Sequence, residues 1–200
     1  MKVLILSPYA DLIEDTVRKA GDTPIIRSET MEVSDWPEAD WVISFGYRKI
    51  IQKHTIQKLR WRLINIHLSL LPWNRGADPN FWSWFDGTPK GVTIHIVDEG
   101  IDRGAILAQT ELRQGVLSDF RHHNPTLGTT YNDLLVAAAG LFNRSWAGIV
   151  NDPVASMDHK TTGSYHKVGD MDKFMRLMPL GWSTPVAEVA QLGWLYRGKK

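Results

Sequence analysis

Three polar residues of different type fall where an α/β sequence exposes its chemistry. Asn65 and His67 stand two apart at the end of Arg62–His67 (RLINIH), an apolar run that reads as a strand, so their side chains leave the same face. Asp102 follows in the acidic, glycine-bearing turn DEGIDRG between two further predicted strands. In open α/β sheets ligands bind at the carboxyl edge of the strands. A turn leaving the sheet after Lys90–Val97 is expected at that edge, which would bring Asp102 beside His67. An amide, an imidazole and a carboxylate together suit attack on a carbonyl: a donor for the oxyanion, a proton acceptor, and a group that orients the imidazole or relays its proton. The same residue types also end strands as satisfied polar groups, so spacing alone leaves both readings open. His95, on an apolar strand, reads as a satisfied or weakly functional residue, and His122-His123-Asn124 as a solvent-facing loop.

The elements that would position the trio alternate. Lys2–Ser7, Thr23–Arg27, Trp41–Ser44 and Arg62–His67 read as strands, with helical segments at Asp11–Ala20 and Arg48–Leu59 between them. That alternation predicts a parallel sheet covered on both faces. After a Pro- and Trp-rich loop, Lys90–Val97 and Ala105–Leu112 read as two more strands. Thr130–Val150, with Leu134, Leu135, Ala138, Leu141, Phe142 and Ile149 at helical spacing, reads as a core helix. From Asn151 the chain is punctuated by Gly and Pro, predicting irregular structure and short helices, Val186–Leu195 among them. The expected organisation is a catalytic domain over 1–150 and an extension over 151–200 packed on it.

Composition narrows the classes. Lys plus Arg number 23 against 22 for Asp plus Glu, a balance with no field to draw in nucleic acid or anionic lipid. Without cysteine, thiol nucleophiles and thiolate metal sites are excluded. The short apolar run Val3–Leu6 does not make an export signal, and Leu134–Phe142 falls far short of the ~18 apolar residues of a membrane span, so a cytoplasmic protein with no membrane partner is expected. The phosphate-binding G-x-G-x-x-G and G-x-x-x-x-G-K-[ST] patterns, G-x-S-x-G and H-E-x-x-H are all absent.

Taken in order, Asn65-Ile66-His67-Leu68-Ser69-Leu70-Leu71-Pro72, Arg75-Gly76, Gly91-Val92-Thr93-Ile94-His95 and Asp98-Glu99-Gly100-Ile101-Asp102-Arg103-Gly104-Ala105-Ile106 resemble the formyltransferase family, over roughly residues 1–150. The resemblance implies a Rossmann-like fold, a mostly parallel twisted sheet with helices on both faces and a short irregular C-terminal extension. It also implies an enzyme that moves a formyl group from 10-formyltetrahydrofolate to a primary amine, with no metal, although His67, His95 and Asp102 are compatible with one by type. By position, Asn65 becomes the donor to the formyl oxygen, His67 the general base or electrostatic partner, and Asp102 the group that tunes His67 and helps shuttle protons. The folate is expected against Phe45, Gly46, Tyr47, Arg48, Lys49, Ile50 and Ile51, the loop Ser69, Leu70, Leu71, Pro72, and the turn with Val97, Asp98 and Gly100. Leu68 departs from the proline the family most often carries there, which loosens the loop without removing a reacting group.

For the acceptor, a small-molecule amine, the aromatic stretch offers two readings. Helix Pro79–Asp86 packs its rings into the core, or Trp73 and Trp82 line an acceptor wall with Arg75, Asp78 and Asn80 on the polar part of the substrate. A nucleotide-linked amino sugar is the leading acceptor class. Alternatives are an aminoacyl group on a carrier protein or tRNA, glycinamide ribonucleotide, or a non-catalytic folate or sugar binder. The charge balance and the short tail disfavour a nucleic acid partner.

Overall fold

Apolar runs of four or five residues are too short to bury as helices and satisfy their backbone groups by pairing side by side instead. The computed structural model describes residues 1–27, 38–113, 123–152 and 163–198. β1 (Lys2–Leu6), β2 (Thr23–Arg27), β3 (Trp41–Phe45) and β4 (Leu63–His67) pair in parallel, in the order β2-β1-β3-β4. β1 and β3 are central, and Val3–Leu6 and Trp41–Phe45 are accordingly buried on both faces. β6 (Lys90–Ile96) joins β4 antiparallel and β7 (Ile106–Leu112) lies beyond it, completing a mostly parallel six-stranded sheet.

Two expected helices are shorter than their sequence pattern. Over Asp11–Ala20 the chain forms a 3₁₀ turn, Ala10–Leu12, and then α1 (Glu14–Lys19). Arg48–Leu59 is helical only as α2 (Lys53–Leu59). Ile50 is 81% exposed while its neighbour Ile51 packs on the core, an in-out alternation of extended chain, and adjacent β-branched residues favour it. The long helix α4 (Leu127–Asn151) begins earlier than expected. Thr126 caps it: its Oγ1 accepts the Thr129 N–H at 3.2 Å while its own N–H donates to Thr129 Oγ1 at 2.8 Å.

By contact, the chain gathers into two compact units. The first holds Met1–His67, Thr93–Gln109 and the part of α4 from Ala138. Leu4, Leu6, Val42, Leu59 and Leu63 form its buried centre, with Tyr47, Ile51, Ile56 and Val97 packed against them. Trp146 and Trp61 flank Trp41, and the Trp146 indole N–H donates to Asp22 at 3.2 Å.

The second holds Leu68–Val92, Thr110–Ala137 and the described tail. Here α3 (Pro79–Phe85) is buried from Asn80 onward, a helix that needs cover on every side and partners for Asn80 and Ser83. The tail supplies β8 (Tyr165–His166), α5 (Asp172–Met175) and α6 (Val186–Arg197). Gly193 of α6 faces the Phe85 carbonyl so closely that a Cβ would lie 1.8 Å from the oxygen. Arg197 donates to the same carbonyl, and Phe174 of α5 meets the Phe85 ring at 4.4 Å. β8 pairs in parallel with β5 (Arg75–Gly76), a ribbon the sequence pattern does not reveal. No helix among the described residues is long and apolar enough to cross a membrane.

Candidate active site

Alternation in two neighbouring strands creates a polar strip on an otherwise apolar sheet. In β4, Asn65 and His67 alternate with Ile64 and Ile66; in β6, Thr93 and His95 alternate with Val92, Ile94 and Ile96. The antiparallel register sets Asn65 opposite His95 and His67 opposite Thr93, and in the parallel register with β3 Asn65 stands opposite Ser44. Residues paired across strands share a face, so Ser44, Asn65, His67, Thr93 and His95 line one side. Gln109 of β7 adds its amide, donating to Thr93 Oγ1 at 2.9 Å.

Asp102 completes the strip, by a route other than the one its position suggests. β6 runs antiparallel to β4 with Ile96 opposite Ile64, so the turn after β6 leaves beside the amino end of β4 rather than the edge carrying His67. The turn folds back over the face instead. Its base is closed by Val97 N–H to Leu63 O and Ile96 N–H to Ala105 O, both 2.9 Å. Gly100 N–H donates to Asp98 Oδ1 at 2.9 Å. Gly104 leaves no room for a side chain, since a Cβ there would lie 1.7 Å from the Ile96 carbonyl oxygen. Glu99 is held by Lys53 at 2.8 Å and Gln57 at 3.1 Å from α2, and these bonds lower its pKa. Within this frame Asp102 takes φ 49°, a left-handed conformation that Asp tolerates better than most residues.

The result is a buried cluster of one amide, two imidazoles and one carboxylate. Asp102 Oδ2 lies 3.7 Å from His67 Nδ1, and Oδ1 lies 3.4 Å from His95 Nε2. Asn65 Nδ2 is 3.2 Å from His95 Nε2 and donates to Asp102 Oδ1 at 3.4 Å. The side chains of His67, His95 and Asp102 are 8%, 2% and 13% exposed, so charges on them interact at low dielectric. The structure thus brings together Asn65, His67 and Asp102 and adds His95, which the single-strand reading misses. The signal for His95 was present in the matched alternation of LINIH and VTIHI, legible once the two strands are set antiparallel. Among the described residues no group of three His, Asp or Glu side chains is arranged to hold a metal ion.

The expected folate contacts divide between the units. In the first, Phe45 is buried with its ring 5.5 Å from Tyr9, leaving its backbone for any ligand. Gly46, at φ 70°, passes close under Tyr9, where a Cβ would meet the ring at 2.8 Å. Tyr47 and Ile51 lean on the core, and Arg48 and Ile50 are exposed. Val97 and Asp98 line a cleft of about 600 Å³ with Ile56, Gln57, Arg60, Trp61, Ile96 and Glu99. In the second unit, Ser69 to Pro72 make a tight turn, with Ser69 Oγ donating to the Trp73 carbonyl at 2.7 Å and Trp73 N–H to Leu70 O at 3.1 Å.

The expected acceptor residues, all in the second unit, fare unevenly. Asn80 is 2% exposed, its Nδ2 donating to Leu127 O at 2.8 Å and its Oδ1 accepting from Thr130, which makes it a clamp between α3 and α4 rather than a substrate contact. Trp82, 5% exposed and stacked on His166 at 3.8 Å, belongs to the core with Phe81, Trp84 and Phe85. The packing reading of this helix therefore wins for these rings, whose apolar area is removed from water. Trp73, Arg75 and Asp78 remain half-buried outside that core.

A mostly parallel α/β sheet carrying an amide-imidazole-carboxylate cluster on its face is a Rossmann-like architecture with a candidate active site, and comparison with known proteins gives it a family. Residues 17–117 match the family described as formyl transferase, and the chain belongs to it. The chain is similar to the crystal structure of the formyltransferase PseJ from Anoxybacillus kamchatkensis, in complex with UDP-4,6-dideoxy-4-formamido-L-AltNAc and tetrahydrofolate. That match has a TM-score of 0.85 and 35% identity and covers 96% of this chain and 100% of that one. A sugar N-formyltransferase from Shewanella sp. shares the fold at a TM-score of 0.72 and 23% identity, covering 87% of this chain and 79% of that one. Among curated proteins, methionyl-tRNA formyltransferase from Cyanothece sp. is 36% identical over 99 residues, 49% of this chain and 30% of that protein. The matches span from 23% to 54% of the length of the curated relatives.

Proposed function

We propose that this protein transfers a formyl group from 10-formyltetrahydrofolate to the primary amine of a nucleotide-linked amino sugar. The observation that carries the transfer chemistry is the convergence of Asn65, His67 and Asp102 on one buried face. The acceptor's amine attacks the formyl carbon, forming the new C–N bond while the carbonyl electrons move onto oxygen. Asn65 and protonated His67 stabilise that oxyanion, for which one Asn65 N–H turns from its partners in the cluster to the formyl oxygen. A water held by Asp102 takes the amine proton and passes it to N10 as collapse of the intermediate breaks the C–N10 bond, so that the folate leaves as tetrahydrofolate. The donor's ring system is received by the loop Phe45–Ile51 and the Val97–Asp102 turn, beside the cleft lined by Ile56 and Val97. The acceptor is met by Trp73, Arg75 and Asp78.

The amino-sugar reading is supported by the likeness to PseJ along nearly the whole chain, a protein whose complex holds a UDP-linked formamido sugar. A second reading, methionyl-tRNA, is supported by the curated relatives, whose matches span about half their length or less. Mass spectrometry for the added formyl group, with UDP-linked amino sugars, an aminoacyl carrier protein, charged tRNA and glycinamide ribonucleotide as acceptors, separates them. Faster formylation of tRNA or carrier than of every amino sugar overturns the choice of acceptor. His67→Ala and Asp102→Asn each lower transfer at least about a hundredfold, and near-normal turnover by a folded His67→Ala protein overturns the catalytic assignment.

A further inference from the structure

We propose that the short ribbon of β5 and β8 is the subsite for the nucleoside diphosphate of the acceptor, with the Tyr165 ring stacking on the base and the Arg75 guanidinium holding a phosphate oxygen. This rests on the amino-sugar reading above and names a tail residue, Tyr165, as its specificity determinant.

The ribbon is built to be rigid. Arg75 N–H donates to Ser164 O and Ala77 N–H to His166 O, each at 3.0 Å. Asn74, fully buried with φ 56°, donates its N–H to Ser164 Oγ at 2.8 Å, and the Ser164 hydroxyl donates back to Asn74 Oδ1 at 3.0 Å. Asn74 Nδ2 donates to Thr88 Oγ1 at 2.7 Å. Two glycines allow this approach. At Gly163 a Cβ would lie 2.0 Å from the Pro72 carbonyl oxygen, and at Gly76, φ +89°, it would lie 2.2 Å from His166 O and 2.9 Å from the Tyr165 ring. His166 is held from the other side, stacked on Trp82 and with Nε2 3.0 Å from Asp86 Oδ2.

Within this lock Asn74 is buried, most of the other residues are half-buried, and Tyr165 is exposed. Tyr165 is 42% exposed, although its backbone is paired and its ring rests on Gly76. An aromatic ring left half in water on a fixed backbone is a stacking surface already ordered before a ligand arrives. Arg75 is the register partner of Tyr165, and paired residues of neighbouring strands share a face. Its Nε donates to Ser164 O at 3.4 Å, which orients the guanidinium while leaving the Nη groups for an anion. Among the described residues no carboxylate forms an ion pair with Arg75. A flat ring and a guanidinium carried by register-paired residues of adjacent strands match in kind a ligand that joins a planar base to a phosphate through one ribose. A carrier-bound aminoacyl group offers no planar base to the ring.

Titration calorimetry with UDP and with uridine tests this directly. Tyr165→Ala weakens both ligands about tenfold or more, Tyr165→Phe keeps most of the affinity, and Arg75→Gln weakens UDP but not uridine. Far-ultraviolet circular dichroism and retained binding of 5-formyltetrahydrofolate show that each variant is folded. The Arg75→Gln comparison stands even where Tyr165→Ala does not fold. Equal UDP affinity in the wild type and in folded Tyr165→Ala, with UDP-linked amino sugars still formylated, overturns the ribbon subsite and leaves the acceptor reading intact. No UDP binding by the wild type, together with formylation of carrier or tRNA in the acceptor screen, overturns both.

Discussion

At the scale of single residues, the tautomer of His95 decides how the cluster is wired. Its Nδ1 lies 2.9 Å from the Ile96 carbonyl, which only accepts, so Nδ1 carries a hydrogen. In the neutral ring Nε2 is then a lone pair that accepts from Asn65 Nδ2. Asn65 Nδ2 also donates to Asp102 Oδ1 at 3.4 Å, so His95 fixes the orientation of an amide that reaches the carboxylate as well. We place His95 as a positioning residue acting through Asn65. His95→Leu should lower kcat roughly tenfold, the scale of a group that orients reacting ones, with the KM for folate unchanged. His95→Gln, which keeps an acceptor, should recover part of kcat. Equal kcat in the wild type and in folded His95→Leu would limit His95 to packing.

Elements show where the sequence was legible and where it was not. The strands β1, β3, β4 and β6 could be read because each is built on an apolar or alternating run, β2 and β7 because each holds a shorter apolar stretch, and Asn65 and His67 because a two-residue repeat fixes their face. Long-range pairing was not legible: no local pattern says that β6 runs antiparallel to β4, so Asp102 arrived at His67 over the sheet face, and His95 went unrecognised as a member of the cluster. The tail was least readable, since its order depends on partners distant in sequence, such as Gly193 on Phe85 and Ser164 on Asn74. That dependence is testable at α6. A methyl group at position 193 meets a helix carbonyl rather than a flexible side chain, so the helices must separate. Gly193→Ala should cost about 1–3 kcal/mol by this overpacking, whereas Ala187→Gly, at an exposed site on α6, should cost no more than the ~1 kcal/mol of lost helix propensity. Chemical denaturation of the two variants compares them, and equal midpoints would mean that α6 does not need its close approach to α3.

For the molecule as a whole, the decisive property is that the residues proposed to receive the formyl donor are ordered only by folding. Phe45–Ile51 and Val97–Asp102 are far apart in sequence and come together through β3, β4 and β6, so the unfolded chain has no comparable site. A ligand bound by the native state alone stabilises it by mass action, about 2.7 kcal/mol when present at a hundred times its Kd. For a chain of this size that corresponds to a rise of about 5–10 °C in Tm. The residues of α4 and β6 are divided between the two compact units, so the units share continuous elements and should lose structure together. Differential scanning calorimetry should therefore show one transition, moved upward as a whole by 5-formyltetrahydrofolate, with isothermal titration giving one site per chain. Two transitions of which the folate moves only one would mean that the units unfold separately and that the shared elements do not couple them. No shift at millimolar folate would overturn the donor assignment itself, whatever the acceptor proves to be.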